Sequence, residues 1–143
     1  MRRTLPPALV VLSVFILVCS GSGLVGSALR LLFAQDTGTL VSLLISVALG
    51  GLGVFAAGST LAGSDEGYSR LVFYGNVYRG VALLFALGGL VAMILGVLGG
   101  SELAGYGCIF LASGVISLLW YRVIRAVLRR KDVLDAYGMD LYE

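Results

Sequence analysis

The sequence predicts an all-α integral membrane protein, a four-helix bundle with both termini in the cytoplasm. Composition and the placement of charge carry that prediction. Of 143 residues, 59% are hydrophobic and 13% charged, whereas soluble domains carry about 25% charged residues. Mean hydropathy is +1.01, more apolar surface than a soluble fold of this length can hide. The charges then leave four gaps: 26 residues between Arg3 and Arg30, 28 between Asp36 and Asp65, 22 between Arg79 and Glu102, and 19 between Glu102 and Arg122. A spanning helix needs about 20 mostly apolar residues. Each gap holds one.

The first span is placed at residues 8–29. Its opening MRR, apolar core and small residues resemble a secretory signal, but the apolar stretch runs on to Leu32 and Phe33, so it is expected to stay as a membrane helix. The second span covers 39–58. The third covers 80–99 and follows SDEGYSRLVFYGNVYRG, where Leu71, Tyr74 and Tyr78 recur at helical spacing. That segment reads as a short interfacial helix or a cytoplasmic extension of the third span. The fourth covers 103–121. Arg122, Arg125 and Arg129 continue at helical spacing, so this helix is expected to extend into the cytoplasmic tail, 122–143. The whole chain is read as a single transmembrane domain.

Orientation follows from the excess of Lys and Arg on the cytoplasmic side of membrane proteins. With the N terminus inside, Arg2, Arg3, Arg70, Arg79, Arg122, Arg125, Arg129, Arg130 and Lys131 all lie on that side, and only Arg30 lies outside. The expected location is the cytoplasmic (inner) membrane. Trp120 and Tyr121 at the inner end of the fourth span, and Tyr106 near its outer end, suit headgroup depth.

One motif points elsewhere and has to be weighed. Residues 21–26, GSGLVG, match the G-x-G-x-x-G of dinucleotide-binding folds. That motif needs a strand before it, a helix after it and an acidic residue about 20 positions on. Asp36 comes too soon after Gly26, and long apolar spans follow in place of alternating strands and helices. The glycines fit helix packing instead. Between helices in lipid, association rests on close backbone approach, which small residues permit. Cys19, Gly23 and Ser27 form such a row in the first span. Ser42, Ser46 and Gly50 form one in the second, Gly88, Ala92, Gly96 and Gly100 in the third, and Ala104, Cys108 and Ala112 in the fourth. The expected packing residues are therefore Gly23, Ser27, Ser46, Gly50, Gly88, Ala92 and Gly96.

Little in the chain points to chemistry. There is no histidine, which removes the commonest general base and the commonest metal ligand. Two cysteines make no disulfide framework. Ionisable groups inside a span mark functional sites by default, and here Arg30, Arg79, Glu102 and Arg122 all fall at span ends. No enzyme activity, cofactor or metal is expected. Serines 13, 20, 22, 42, 46, 113 and 117 could line a channel, but a serine in a helix commonly bonds back to its own preceding turn. GLVGSALR, followed by GTL at 38–40, resembles part of the pattern of small fluoride channels. The resemblance covers fewer than 20 residues. The asparagine that follows GTL in that family has no counterpart in VSLLIS at 41–46, and no function is carried over.

The most distinctive polar feature is WYRVIRAVLRRKDVLDAYGMDLYE. Arg122, Arg125, Arg129, Arg130 and Lys131 form a basic patch suited to anionic headgroups or a partner, and each basic group near a charged membrane surface contributes roughly 1 kcal/mol. The acidic, tyrosine-bearing end that follows is a candidate docking segment. The function expected is that of a non-enzymatic accessory or structural subunit packing against other membrane helices. Its partners would be membrane lipid and further copies of itself or other membrane subunits, with no nucleic acid. The alternative is a small homo-oligomeric channel or uncoupled transporter.

Overall fold

The computed structural model describes residues 4–33, 37–99 and 102–138, and the regular structure in them is entirely helical. Helix α1 runs Pro7–Leu31, α2 Thr37–Leu61, α3 Gly67–Gly99, α4 Leu103–Leu128 and α5 Lys131–Ala136. The first four are long and apolar enough to cross a membrane. Helix α3 begins well ahead of residue 80, so the aromatic, charged segment before the third apolar stretch is the same helix continued. At 1.5 Å per residue, its 33 residues extend about 50 Å, against a hydrocarbon core of about 30 Å. Helix α4 likewise continues past Tyr121 to Leu128 before the chain breaks at Arg129 and Arg130.

Local signals account for the helix ends. Pro7 opens α1, where its missing N–H is no loss because the first turn has no intrahelical acceptor for it. The turn from α2 to α3 passes through Gly63 at φ +73°, a left-handed conformation that side chains resist. In α5, Arg130 adopts an extended conformation as N-cap and pairs with Asp132 at 3.0 Å. Gly138, at φ +64°, follows that helix.

The chain divides into two compact units. One comprises residues up to Tyr74 together with those from Val127 onward, and the other comprises Gly75–Ala126. In the first unit α1 packs on α2. Leu9, Leu12, Ser13 and Ile16 are buried on one stripe of α1, and the second helix buries Leu43, Ala56, Ala57 and Thr60. Gly50 lets the two backbones approach: a methyl group there would stand 3.0 Å from Leu24 Cβ and 3.1 Å from the Ser20 carbonyl oxygen. Gly53 does the same one turn on, against Ser20 Cβ at 2.8 Å and the Tyr74 ring at 3.1 Å.

The α2–α3 corner is held by a polar clasp. Thr60 is fully buried, and its hydroxyl lies 2.9 Å from the Ala56 carbonyl and 3.0 Å from the Gly67 carbonyl. Gly67 sits so close that a Cβ would lie 2.7 Å from Thr60 Cα. Nearby, Arg70 lies 4.5 Å over the Phe55 ring and pairs with Glu66 one turn back. Later residues close over this corner. The Tyr68 hydroxyl donates to the Leu128 carbonyl at 3.3 Å, and the Tyr68 and Tyr137 rings meet at 5.6 Å. Val133 and Leu134 are buried in the same unit.

Gly67→Ala therefore drives a methyl into Thr60, and overpacking of this kind costs about 1–3 kcal/mol. Gly58→Ala enters open space and gains the better helix propensity of alanine, up to about 1 kcal/mol. Thermal unfolding of the two variants in mild detergent should move in opposite directions from the parent chain.

Candidate functional site

The second unit is a helical hairpin whose two arms meet backbone to backbone. On α3, every seventh residue is buried: Gly75, Ala82, Gly89 and Gly96. Each is glycine or alanine. A methyl on Gly96 would stand 2.6 Å from Ala104 Cα, one on Gly107 2.7 Å from Met93 Cα, one on Gly89 2.9 Å from Leu111 Cα, and one on Gly114 2.7 Å from Ala86 Cα. Each step of three or four residues along α3 is matched by the same step back along α4. This alternation is the heptad spacing of helices packed at a shallow angle, about +20°. A strict seven-residue repeat keeps one face in contact over many turns through a slight left-handed supercoil.

Of the small residues expected to pack, the structure uses some in its own contacts and leaves others outward. Gly50 is buried between α1 and α2, and Gly96 between α3 and α4. Gly23 and Gly88 are exposed, with nothing within 4 Å of a would-be Cβ. Ala92 and Ser27 are half-buried. Ser46 is exposed, and its hydroxyl donates to the Ser42 carbonyl at 2.9 Å. Gly100 lies outside the described residues. The register of the hairpin runs through Gly89, Gly107 and Gly114, which a search for small residues four apart passes over. Their signal was the three–four alternation.

Of the expected channel-lining serines, Ser22 and Ser42 show the same local bonding as Ser46, whereas the buried Ser13 hydroxyl has no hydrogen-bond partner among the described residues. Ser22 donates to the Cys19 carbonyl at 3.1 Å and Ser42 to the Thr39 carbonyl at 2.9 Å. Ser117 lies 3.4 Å from the Tyr78 hydroxyl. Cys19 and Cys108 are free thiols. Among the described residues no three cysteine or carboxylate side chains come together as a metal site.

Beyond Ala82 the contact loosens: a methyl on Gly75 would meet only side chains, Ile124 at 3.6 Å and the Tyr121 ring at 3.8 Å. There Arg79 of α3 faces Tyr121 of α4, with its guanidinium carbon 5.6 Å from the ring centroid. Beside this pair the two helices leave a cavity of about 470 Å³, lined by Arg79, Leu83, Val115, Leu118, Leu119, Tyr121, Arg122 and Arg125. Arg122 and Arg125, expected in the basic patch, thus join Arg79 around one space. Arg129, Arg130 and Lys131 belong to the other unit, in the break after α4 and the start of α5, and are exposed. The sequence marked Arg79 only as a topology charge. Its meeting with Arg122 depends on the hairpin register.

The chain matches no family model, no curated protein and no solved structure.

Replacing Gly96 by leucine has to push α4 away from the contact, at a cost toward the upper end of the overpacking range, about 3 kcal/mol. Gly88→Leu projects into open space and should leave the hairpin intact. Trp120, the single tryptophan, lies on α4 and reports the difference. Its fluorescence during denaturant unfolding in detergent should show early loss for Gly96→Leu and a near-parental transition for Gly88→Leu. Equal transitions would contradict the register.

Proposed function

We propose that the chain is a four-span protein of the cytoplasmic membrane, with both termini in the cytoplasm, acting as a non-enzymatic accessory or structural subunit that packs against other membrane helices. The observation that carries this reading is the outward surface of the hairpin. Only 17% of the most apolar window of α3 and 11% of that of α4 is buried. Leu84, Leu95, Leu98, Ile109 and Ile116 are all exposed. Soluble monomers rarely expose contiguous apolar patches beyond a few hundred Å², so such a surface fits lipid or the face of another membrane helix.

Two further features support a packing role. Gly23, Gly26, Gly88 and Gly99 are small residues that no internal contact uses, each with open space at the Cβ position. In lipid they offer flat ground for a neighbouring helix. Charge also stays out of the apolar stretches: α3 carries none after Arg79, and α4 none before Arg122. A membrane-embedded carboxylate, the usual carrier of coupled transport, has no candidate there.

Extraction in mild detergent followed by native mass measurement tests the proposal. The expected result is a complex heavier than the 14.9 kDa chain that contains a different membrane subunit. A pure homo-oligomer that passes solute when reconstituted in proteoliposomes would favour the channel reading instead. A reporter active only in the periplasm, fused at the C terminus, should stay silent.

A further inference from the structure

We infer that the cavity between α3 and α4 is a binding groove for one anionic phospholipid, with Arg79, Arg122 and Arg125 around its phosphate and Leu83, Val115, Leu118 and Leu119 along its acyl chain. The inference rests on the membrane reading above, but not on the identity of any protein partner. Residues 115, 118, 119, 122 and 125 recur at three- and four-residue steps, so the lining comes from one face of α4. Along that face the apolar residues come first and the arginines follow. Helix α3 runs the opposite way and presents Arg79 before Leu83. The two helices therefore agree on polarity: both put guanidinium groups at one end of the groove and hydrocarbon at the other. A phospholipid has that same division.

Charge bookkeeping points to an anion. The lining includes three arginines and no carboxylate. Within Gly75–Ala126 the single acidic residue is Glu102, near the start of α4 and, at 1.5 Å per residue, about 30 Å from Arg122. Arg79 rests on the Tyr121 ring, which orients its guanidinium without cancelling its charge. Guanidinium groups form paired hydrogen bonds with phosphate oxygens, and a volume near 470 Å³ falls in the usual range of ligand pockets, about 300–1,000 Å³. The groove is large enough for a headgroup phosphate, its glycerol and the upper part of a chain. Inorganic phosphate would leave the apolar half empty.

The test uses the full chain reconstituted in nanodiscs, with phosphatidylglycerol and phosphatidylcholine as competing lipids, and native mass spectrometry to read the lipid retained on ejection. The parent should retain one phosphatidylglycerol in preference to phosphatidylcholine. The double substitution Arg122→Gln with Arg125→Gln should reduce that retention on the order of 30-fold, as expected for two basic contacts at a membrane surface. Arg129→Gln with Arg130→Gln removes the same charge outside the groove and should leave retention near the parental level. Val115→Trp, which fills the apolar half and keeps every charge, should also displace the lipid. Equal losses in the two arginine pairs would overturn the groove in favour of a diffuse surface effect. Displacement of the lipid by millimolar inorganic phosphate would reduce it to a simple anion site. A chain that enters nanodiscs without lipid preference overturns this inference and leaves the membrane reading standing. A chain that stays out of the bilayer overturns both.

Discussion

Contact between α3 and α4 is set by missing side chains. At Gly89, Gly96, Gly107 and Gly114 the facing backbone occupies the space a Cβ would need, so the hairpin tolerates no larger residue at those four points. In water, helices are driven together by the apolar surface they remove from solvent. Between apolar helices in lipid that drive vanishes, and what remains is dispersion between closely apposed atoms. For helices so placed, closeness is the main source of stability, and glycine its condition. The same closeness fixes the register. A slide of one residue would bring the side chains of Leu90, Val97 or Cys108 against a backbone that leaves no room.

Register in turn decides where the polar groups meet. Arg79 and Tyr121 come opposite each other because the glycine contacts a few turns away align the helices. Arg122 and Arg125 share a cavity with Arg79 for the same reason. The first unit uses a different device. There the buried hydroxyl of Thr60 joins two carbonyls across the α2–α3 corner, and Gly67 gives it the space to do so. The hairpin is aligned by absence of side chains alone, whereas the first unit adds to its own close glycines, Gly50, Gly53 and Gly67, a polar clasp backed by the Tyr68 contacts.

Much of this was legible in the sequence, and the limits have physical causes. The four apolar helices follow from gaps in charge, because a run of 19 or more uncharged, mostly apolar residues has few alternatives. The early start of α3 at Gly67 escaped a hydropathy reading, since Asn76, Tyr78 and Arg79 are polar and only helical spacing marks them. The contact face was harder. Small residues four apart, such as Gly88, Ala92 and Gly96, overshoot one turn by about 40° per step and drift around the helix. Alternating steps of three and four stay on one side. The sequence contains both patterns, and only the position of the partner helix distinguishes Gly89, which packs, from Gly88, which does not. The arginine groove was hidden for a related reason: Arg79 and Arg122 are far apart in the chain and belong to the same space only after the hairpin closes.

The tie between Tyr68 and Leu128 spans 60 residues, and the hairpin lies between them in the chain. The unit begun by α1, α2 and the first turns of α3 thus receives its final pieces, Val133, Leu134 and Tyr137, only after the whole hairpin has been made. Contacts of such long sequence separation form late, because their loop must close before they return anything. During synthesis, the residues that cover the corner around Tyr68 are the last of this unit to be made. A ribosome that stalls inside α4 leaves that corner open.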